Sequence, residues 1–310
     1  MISNILIAAE QVAILYIIVA VGFAADRTKI FPEKVAKSCT DLLFYIVTPA
    51  KIIESFFTLE YSPETVKGLF AALGCGFLLH FVSIGFGALI FRKTPGSKAC
   101  IFKFASAYGN CGYMGLPLAN AVLGSEGVFY CSAVIIAFQI FNFTHGVYIM
   151  TADKGDFKFD AKKLILNPGV ISVIIGMPVF LLSVKLPDII SVPVTQVANL
   201  NTPLAMLVFG TYISNTDFKA IFREKGIFIT ALIKLILVPV SLIGIYKLLG
   251  IGGTLLTALA ISASAPPANN TVMFSAKYDK DTGLASQTVA VVSLISVLTM
   301  PVIIAFSQLG

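Results

Sequence analysis

The sequence predicts an all-helical membrane protein of ten transmembrane helices, arranged as a five-plus-five inverted repeat in which helices four and nine are broken and cross. Three observations carry this reading. The 310 residues are 57% hydrophobic and only 12% charged, with a mean hydropathy of +0.91, whereas soluble chains carry about 25% charge. Apolar runs long enough to span a bilayer, about 20 residues each, recur along the whole chain. Polar breaks in the first half also have counterparts in the second.

Taken in order, the apolar runs fall at 5–25, 38–57, 66–91, 99–122, 127–150, 164–184, 190–214, 226–249, 253–277 and 283–307. The first has no basic segment before it and is long enough to span, so it reads as a retained helix rather than a secretory signal. The second follows Phe31-Pro32-Glu33, and the seventh follows Leu186-Pro187-Asp188, at an offset of 155 residues. Thr48-Pro49-Ala50 inside the second recurs as Thr202-Pro203-Leu204 inside the seventh, at 154. Ala105-Ser106-Ala107 in the fourth recurs as Ala263-Ser264-Ala265 in the ninth, at 158. Matches that keep their order at a nearly constant offset describe a duplication. Five spans per copy is an odd number, so the second copy enters the membrane in the opposite direction. The predicted divisions are 1–150 (first repeat), 151–163 (linker) and 164–310 (second repeat).

Sidedness comes from the basic residues. Seventeen of the 22 Lys and Arg lie in odd-numbered loops, from Arg27, Lys29, Lys34 and Lys37 through to Lys277 and Lys280. Positive loops stay in the cytoplasm. The linker is therefore cytoplasmic and both termini lie outside.

Span four reads Ser106-Ala-Tyr-Gly109-Asn110-Cys-Gly-Tyr113-Met-Gly-Leu-Pro117, and span nine reads Ser262-Ala-Ser264-Ala-Pro266-Pro267-Ala-Asn269-Asn270. Proline removes a helix donor and clashes with the preceding turn, and glycine costs about 1 kcal/mol relative to alanine. Backbone freed at mid-membrane is tolerated only against protein or a wet cavity. Half-helix N-termini offer unpaired N–H groups and a positive dipole end, which suit an anion, and asparagine adds donors without a buried charge. An inverted repeat with paired broken helices is the architecture of a secondary transporter. Thr48 and Asn201, in spans two and seven, are candidates for the opposing wall of such a site, subject to rotational phase.

The run Gly109-Asn110-Cys-Gly-Tyr-Met-Gly-Leu-Pro117-Leu resembles the fourth-helix motif of the auxin efflux carrier family, and Pro266-Pro267 followed by Asn269-Asn270 is similar to that family's ninth-helix crossover. The resemblance covers the whole chain. It implies a scaffold of spans 1, 2, 6 and 7, a moving transport domain of spans 3–5 and 8–10, a homodimer, and elevator-type movement of a small organic anion across the cell membrane. Malate, malonate and auxin-like acids are the substrates it suggests. A central loop of about 13 residues departs from the long loop of the plant exporters and favours a bacterial anion carrier.

Three ionisable residues stand as coupling candidates, for a proton or a sodium ion. Lys234 in span eight and His80 in span three are 154 residues apart. They read either as a snorkelling lysine with a packed neutral histidine or as a pair that balances anionic charge or relays protons. Glu54 follows Lys51 at i, i+3 and reads as an interfacial ion pair or as a proton-coupling carboxylate. Gln139, Asn142 and His145 recur along span five, facing either the transport cavity or a neighbouring helix.

Other classes fit less well. A sodium/proton-type cation antiporter also uses crossed broken helices, but a cation site needs carboxylate oxygen, and neither break contains Asp or Glu. An intramembrane protease would need a paired-Asp or GxSG centre, which is absent from the sequence. The five cysteines form no CxxC or Cys/His spacing, so no metal and no cofactor is expected. No basic face follows a phosphate backbone, so nucleic acid is not a partner despite the net charge of +6.

Overall fold

The computed structural model describes residues 2–152, 162, 165–215 and 224–309, with the side chains of residues 2–9, 11 and 12 left aside. Most of the predicted 151–163 linker, including Lys154, Lys158 and Lys163, lies outside the described residues, as do Lys219 and Arg223. Among the described residues the chain is helical throughout, with one isolated antiparallel bridge and no strand.

Helix α1 (Ile2–Arg27) is followed by α2 (Glu33–Leu42), which runs through a π turn at Leu43–Val47 into α3 (Thr48–Thr58). Helix α4 (Pro63–Ile90) starts on a capping box: Ser62 Oγ accepts from Thr65 N–H, the Thr65 side chain accepts from Ser62 N–H, and Pro63 takes the first helical position. Helix α5 (Gly96–Ala107) stops at the predicted break, and a π turn at Cys111–Gly115 leads into α6 (Leu116–Phe141). Gly124, at φ 65 and ψ −153, bends α6 where the sequence places the loop between spans four and five. Past a further π turn at Asn142–Gly146 comes α7 (Val147–Thr151).

In the second half, α8 (Pro168–Leu181) begins at Pro168, capped by Asn167, whose Oδ1 accepts from Gly169 and Val170 N–H. Span seven is two helices, α9 (Asp188–Ala198) and α10 (Asn201–Ser214); α11 (Lys225–Leu232) and α12 (Val238–Leu248) are joined by a π turn at Ile233–Leu237. Span nine is likewise two helices, α13 (Gly253–Ser264) and α14 (Asn270–Lys277), and α15 (Thr282–Ser307) closes the chain, its first turn capped by Asp281.

Three of the four π turns among the described residues have one cause. Each ends two residues before a proline: Pro49, Pro117 and Pro239. In each, the residue before the proline donates one residue further back than in an α-helix, Thr48 to Leu43 O, Leu116 to Cys111 O and Val238 to Ile233 O. The proline ring crowds the turn before it and cannot donate itself, so the turn widens by one residue. The extra residue rotates the face presented by everything before it.

Helical runs at Pro63–Lys93, Cys111–Thr151, Lys225–Leu248 and Thr282–Ser307 are long and apolar enough to cross a membrane. Large apolar side chains stand outward, with Leu248 88% and Ile189 84% exposed, as a bilayer accepts and water does not. Inside, one apolar cluster joins α1, α3, α6 and α10 around Phe56, Phe129 and Met206. A second joins α4, α5, α11, α12, α13 and α15 around Leu79, Phe104, Tyr246 and Leu259.

Candidate functional site

The two breaks meet where these clusters join. Chain 108–110 pairs antiparallel with chain 266–268: Asn110 N–H donates to Pro266 O at 2.6 Å, and Ala268 N–H donates to Tyr108 O at 2.9 Å. Gly109 and Pro267 face each other between those bonds. That is the pair position where no ladder hydrogen bond is required, so a residue without an N–H fits there. The adjacent prolines keep 266–268 extended and leave the Pro266 carbonyl free to accept.

Helices restart on either side of the pairing. Asn110 Oδ1 accepts from Tyr113 N–H at 3.1 Å and caps the π turn. Asn269 and Asn270 open α14 without a side-chain cap bond. Both starts, together with the capped start of α8, line a cavity of about 60 Å³. Its walls include Gly109, Asn110, Tyr113, Asn269 and Asn270 from the predicted site, with Thr48 opposite.

The remaining predicted site residues sit behind this surface. Asn201 Nδ2 donates to Thr48 Oγ1 at 2.9 Å and so holds the opposing wall. Ser264 Oγ turns back to Ala260 O at 2.8 Å. Pro266 and Pro267 form the crossing strand, and Pro117 is buried in the first turn of α6. The structure adds Phe44, Phe138 and Asn167 to the wall and places Gln139 on it. The dipeptide Asn167-Pro168 carries a helix-start signal that the span reading from 164 passes over.

The coupling candidates divide. Glu54 accepts from Lys51 Nζ at 2.6 Å, with 6% and 7% of the two side chains exposed, so the pair is packed inside the protein rather than set at an interface. His80 is fully buried, its Nδ1 2.7 Å from Gly76 O and its ring stacked on Phe141 at 5.2 Å. Lys234 does not snorkel. None of it is exposed, and its Nζ has no hydrogen-bond partner. A Cβ placed on Gly109 would lie 2.9 Å from Lys234 Nζ and 3.1 Å from Ala265 O. The amine therefore rests against the crossover backbone, in space that only glycine leaves open. Burying an unpaired ammonium costs on the order of several kcal/mol, so this placement needs a compensating use. The π turn at Ile233–Leu237 turns Lys234 inward.

Further polar atoms around the crossover are buried without partners: Gln139 Oε1, both amide atoms of Asn142, His80 Nε2 and Ser106 Oγ. Tyr108 Oη donates to Phe141 O at 2.9 Å and shares a 2.8 Å hydrogen bond with His145 Nδ1.

Helices interrupted at a paired break, with amide groups and helix starts around a small cavity, fit a membrane transporter, and the family match identifies the chain as one. The family described as membrane transport protein matches residues 7–304. The chain belongs to that family, the one whose auxin efflux carrier motifs its sequence carries. Among its relatives, the Rhizobium meliloti protein named "Putative malonate transporter" is 23% identical over 295 residues, covering 91% of this chain and 90% of the relative. An uncharacterized transporter of Methanocaldococcus jannaschii is 24% identical over 306 residues, covering 94% and 96%. An uncharacterized transporter of Escherichia coli K12 is 21% identical over 308 residues, covering 94% and 95%.

Proposed function

We propose that this chain is a secondary carrier of small organic anions in the cell membrane, binding one carboxylate substrate in the cavity beside the Gly109–Pro267 crossing. In this reading the ten spans form two inverted repeats with both termini outside. Helices α4–α7 and α11–α15 move as a transport domain against α1–α3 and α8–α10, and two copies assemble through the static part.

The observation that carries the reading is the character of the cavity wall. Helix starts and Asn110, Asn269 and Asn270 line it, and among the described residues no Asp or Glu does. Donors without carboxylates suit an anion, and they disfavour the cation-antiporter alternative, which needs negative oxygen around its ion. Size points the same way. A cavity of about 60 Å³ holds about four to six waters by occupied volume, which suits malonate or malate better than a bicyclic indole acid. The Rhizobium meliloti relative named for malonate agrees with this choice.

Purified protein in proteoliposomes tests it. Radiolabelled malonate uptake should saturate, and preloaded unlabelled malonate should drive counterflow. Flux that stays linear with concentration and shows no counterflow would contradict a carrier. Proton release driven by sodium, with no carboxylate uptake, would favour the antiporter.

A further inference from the structure

The crossing has two electrically distinct sides, and only one of them faces the cavity. On the cavity side helices begin, at the π turn of Cys111–Gly115 and at Asn270. On the other side helices end: α5 at Ala107 and α13 at Ser264. A helix C-terminus carries roughly half a negative charge in its unpaired carbonyls, and two such ends meet here. Lys234 Nζ lies at this point, touching Gly109 just past the end of α5, with the carbonyl of Ala265 just past the end of α13 beside it. The π turn that holds it packs against α5, α13 and α15. Gly109 lines the cavity as well, so one residue borders both the amine and the space the substrate would fill.

We propose that Lys234 is the carrier's resident cation: from behind Gly109 it supplies the positive charge that lets the site accept a dianion, and no metal ion is coupled to transport. This rests on the anion-carrier reading above. Amide groups and helix starts alone are matched to about one negative charge. A second carboxylate needs a further positive charge, and an ammonium fixed behind a side-chain-free residue provides it without blocking the cavity. The same ammonium repels a metal ion from the crossing. Between substrates the two helix ends hold the ammonium in place, and the substrate's second carboxylate then draws on its charge across Gly109.

The test compares malonate with malonamate, which has nearly the same shape and one charge fewer, on purified full-length protein. Wild type should bind malonate more tightly, and its malonate uptake should stay within twofold when choline replaces sodium at equal ionic strength. Lys234→Gln should weaken malonate at least tenfold and malonamate less than threefold. Gly109→Ala, whose methyl group would crowd the amine from its seat, should shift the ratio in the same direction and serves if Lys234→Gln does not fold. Malonate uptake that requires sodium, or equal loss of both anions in these variants, would overturn the role of Lys234 and leave the anion site standing. Binding of neither anion by folded wild-type protein would remove the anion site and this inference with it.

Discussion

Glycine serves opposite ends at two places in this molecule. Where α1 crosses α10, a Cβ on Gly22 would lie 2.3 Å from Leu207 O, and one on Gly210 would lie 2.1 Å from Val19 O. Backbone rests on backbone, as small residues permit at membrane helix contacts. The ends of that pair are tied by Arg27 Nη2 to Ser214 O at 2.9 Å and by Asn215 Nδ2 to Asp26 Oδ2 at 3.0 Å. At the crossing, Gly109 instead admits a charged side chain, and the polar groups nearby are left without partners. The first region packs backbone on backbone and has no room to yield. The second holds donors and a charge in reserve. Buried unsatisfied groups in a folded protein ask for an explanation, and two of those in this molecule, Lys234 Nζ and Gln139 Oε1, lie at the crossing or on its cavity wall.

Substitutions sharpen this contrast, beginning with the greatest effect. Gly210→Leu would drive a side chain into a rigid helix backbone. Overpacking typically costs about 1–3 kcal/mol, and a backbone neighbour that cannot move puts this case at or beyond the upper end. Size-exclusion profiles should show little folded protein, whereas Gly109→Ala should remain monodisperse; equal losses would erase the distinction between the two regions.

A second comparison sets one buried lysine against another. Lys51 has Glu54 at 2.6 Å, and Lys234 has no hydrogen-bond partner. Glu54→Gln strands a buried charge and should cost about 3–5 kcal/mol, read as a clear fall in melting temperature. Lys234→Gln removes an unpaired charge and should leave the melting temperature level or raise it. A fall in Lys234→Gln as large as that in Glu54→Gln would mean that Lys234 has a structural partner after all.

Next come the amides. Asn110→Ala should weaken malonate binding by about 1–3 kcal/mol, the cost of leaving a buried group unpaired. Because Asn110 also caps the following turn, Asn110→Ser, which keeps a cap, separates stability from affinity. Asn269 carries no cap bond, so Asn269→Ala should lose affinity with the melting temperature unchanged. Wild-type affinity in both Ala variants would place the site elsewhere.

The smallest effect is expected at His80, which is fully buried, lies 2.7 Å from Gly76 O through its Nδ1 and stacks on Phe141. His80→Gln, which keeps a polar group there, should change the maximal rate of malonate uptake by less than threefold. A loss of tenfold or more in a folded variant would give His80 a direct part in transport.

Much of the site was legible before any geometry. Paired Gly/Pro interruptions located both breaks, because proline and glycine act locally on the backbone whatever surrounds them. Thr48 and Asn201, named together as candidates for the opposing wall, are bonded to each other. Rotational phase was not legible. Each π turn inserts a residue and changes which face looks inward, so spacing alone leaves Lys234 open between a snorkelling and an inward side chain, and the structure encloses it fully. The signal was present in Pro239, five residues after Lys234, as it was in Pro49 and Pro117. Burial of the Lys51–Glu54 pair also escaped the sequence, since i, i+3 spacing fixes contact along a helix but not what packs over it. Asn167 was hidden by reading its span as continuous from residue 164.

The central claim is that a small carboxylate binds at the crossing, and a structure of the full-length protein determined in saturating malonate tests it most directly. The account predicts density for one malonate among Asn110, Asn269 and Asn270, with a carboxylate facing the Gly109 backbone and Lys234 Nζ behind it. An empty crossing at saturating malonate, or malonate ordered on another surface of the protein, would contradict it.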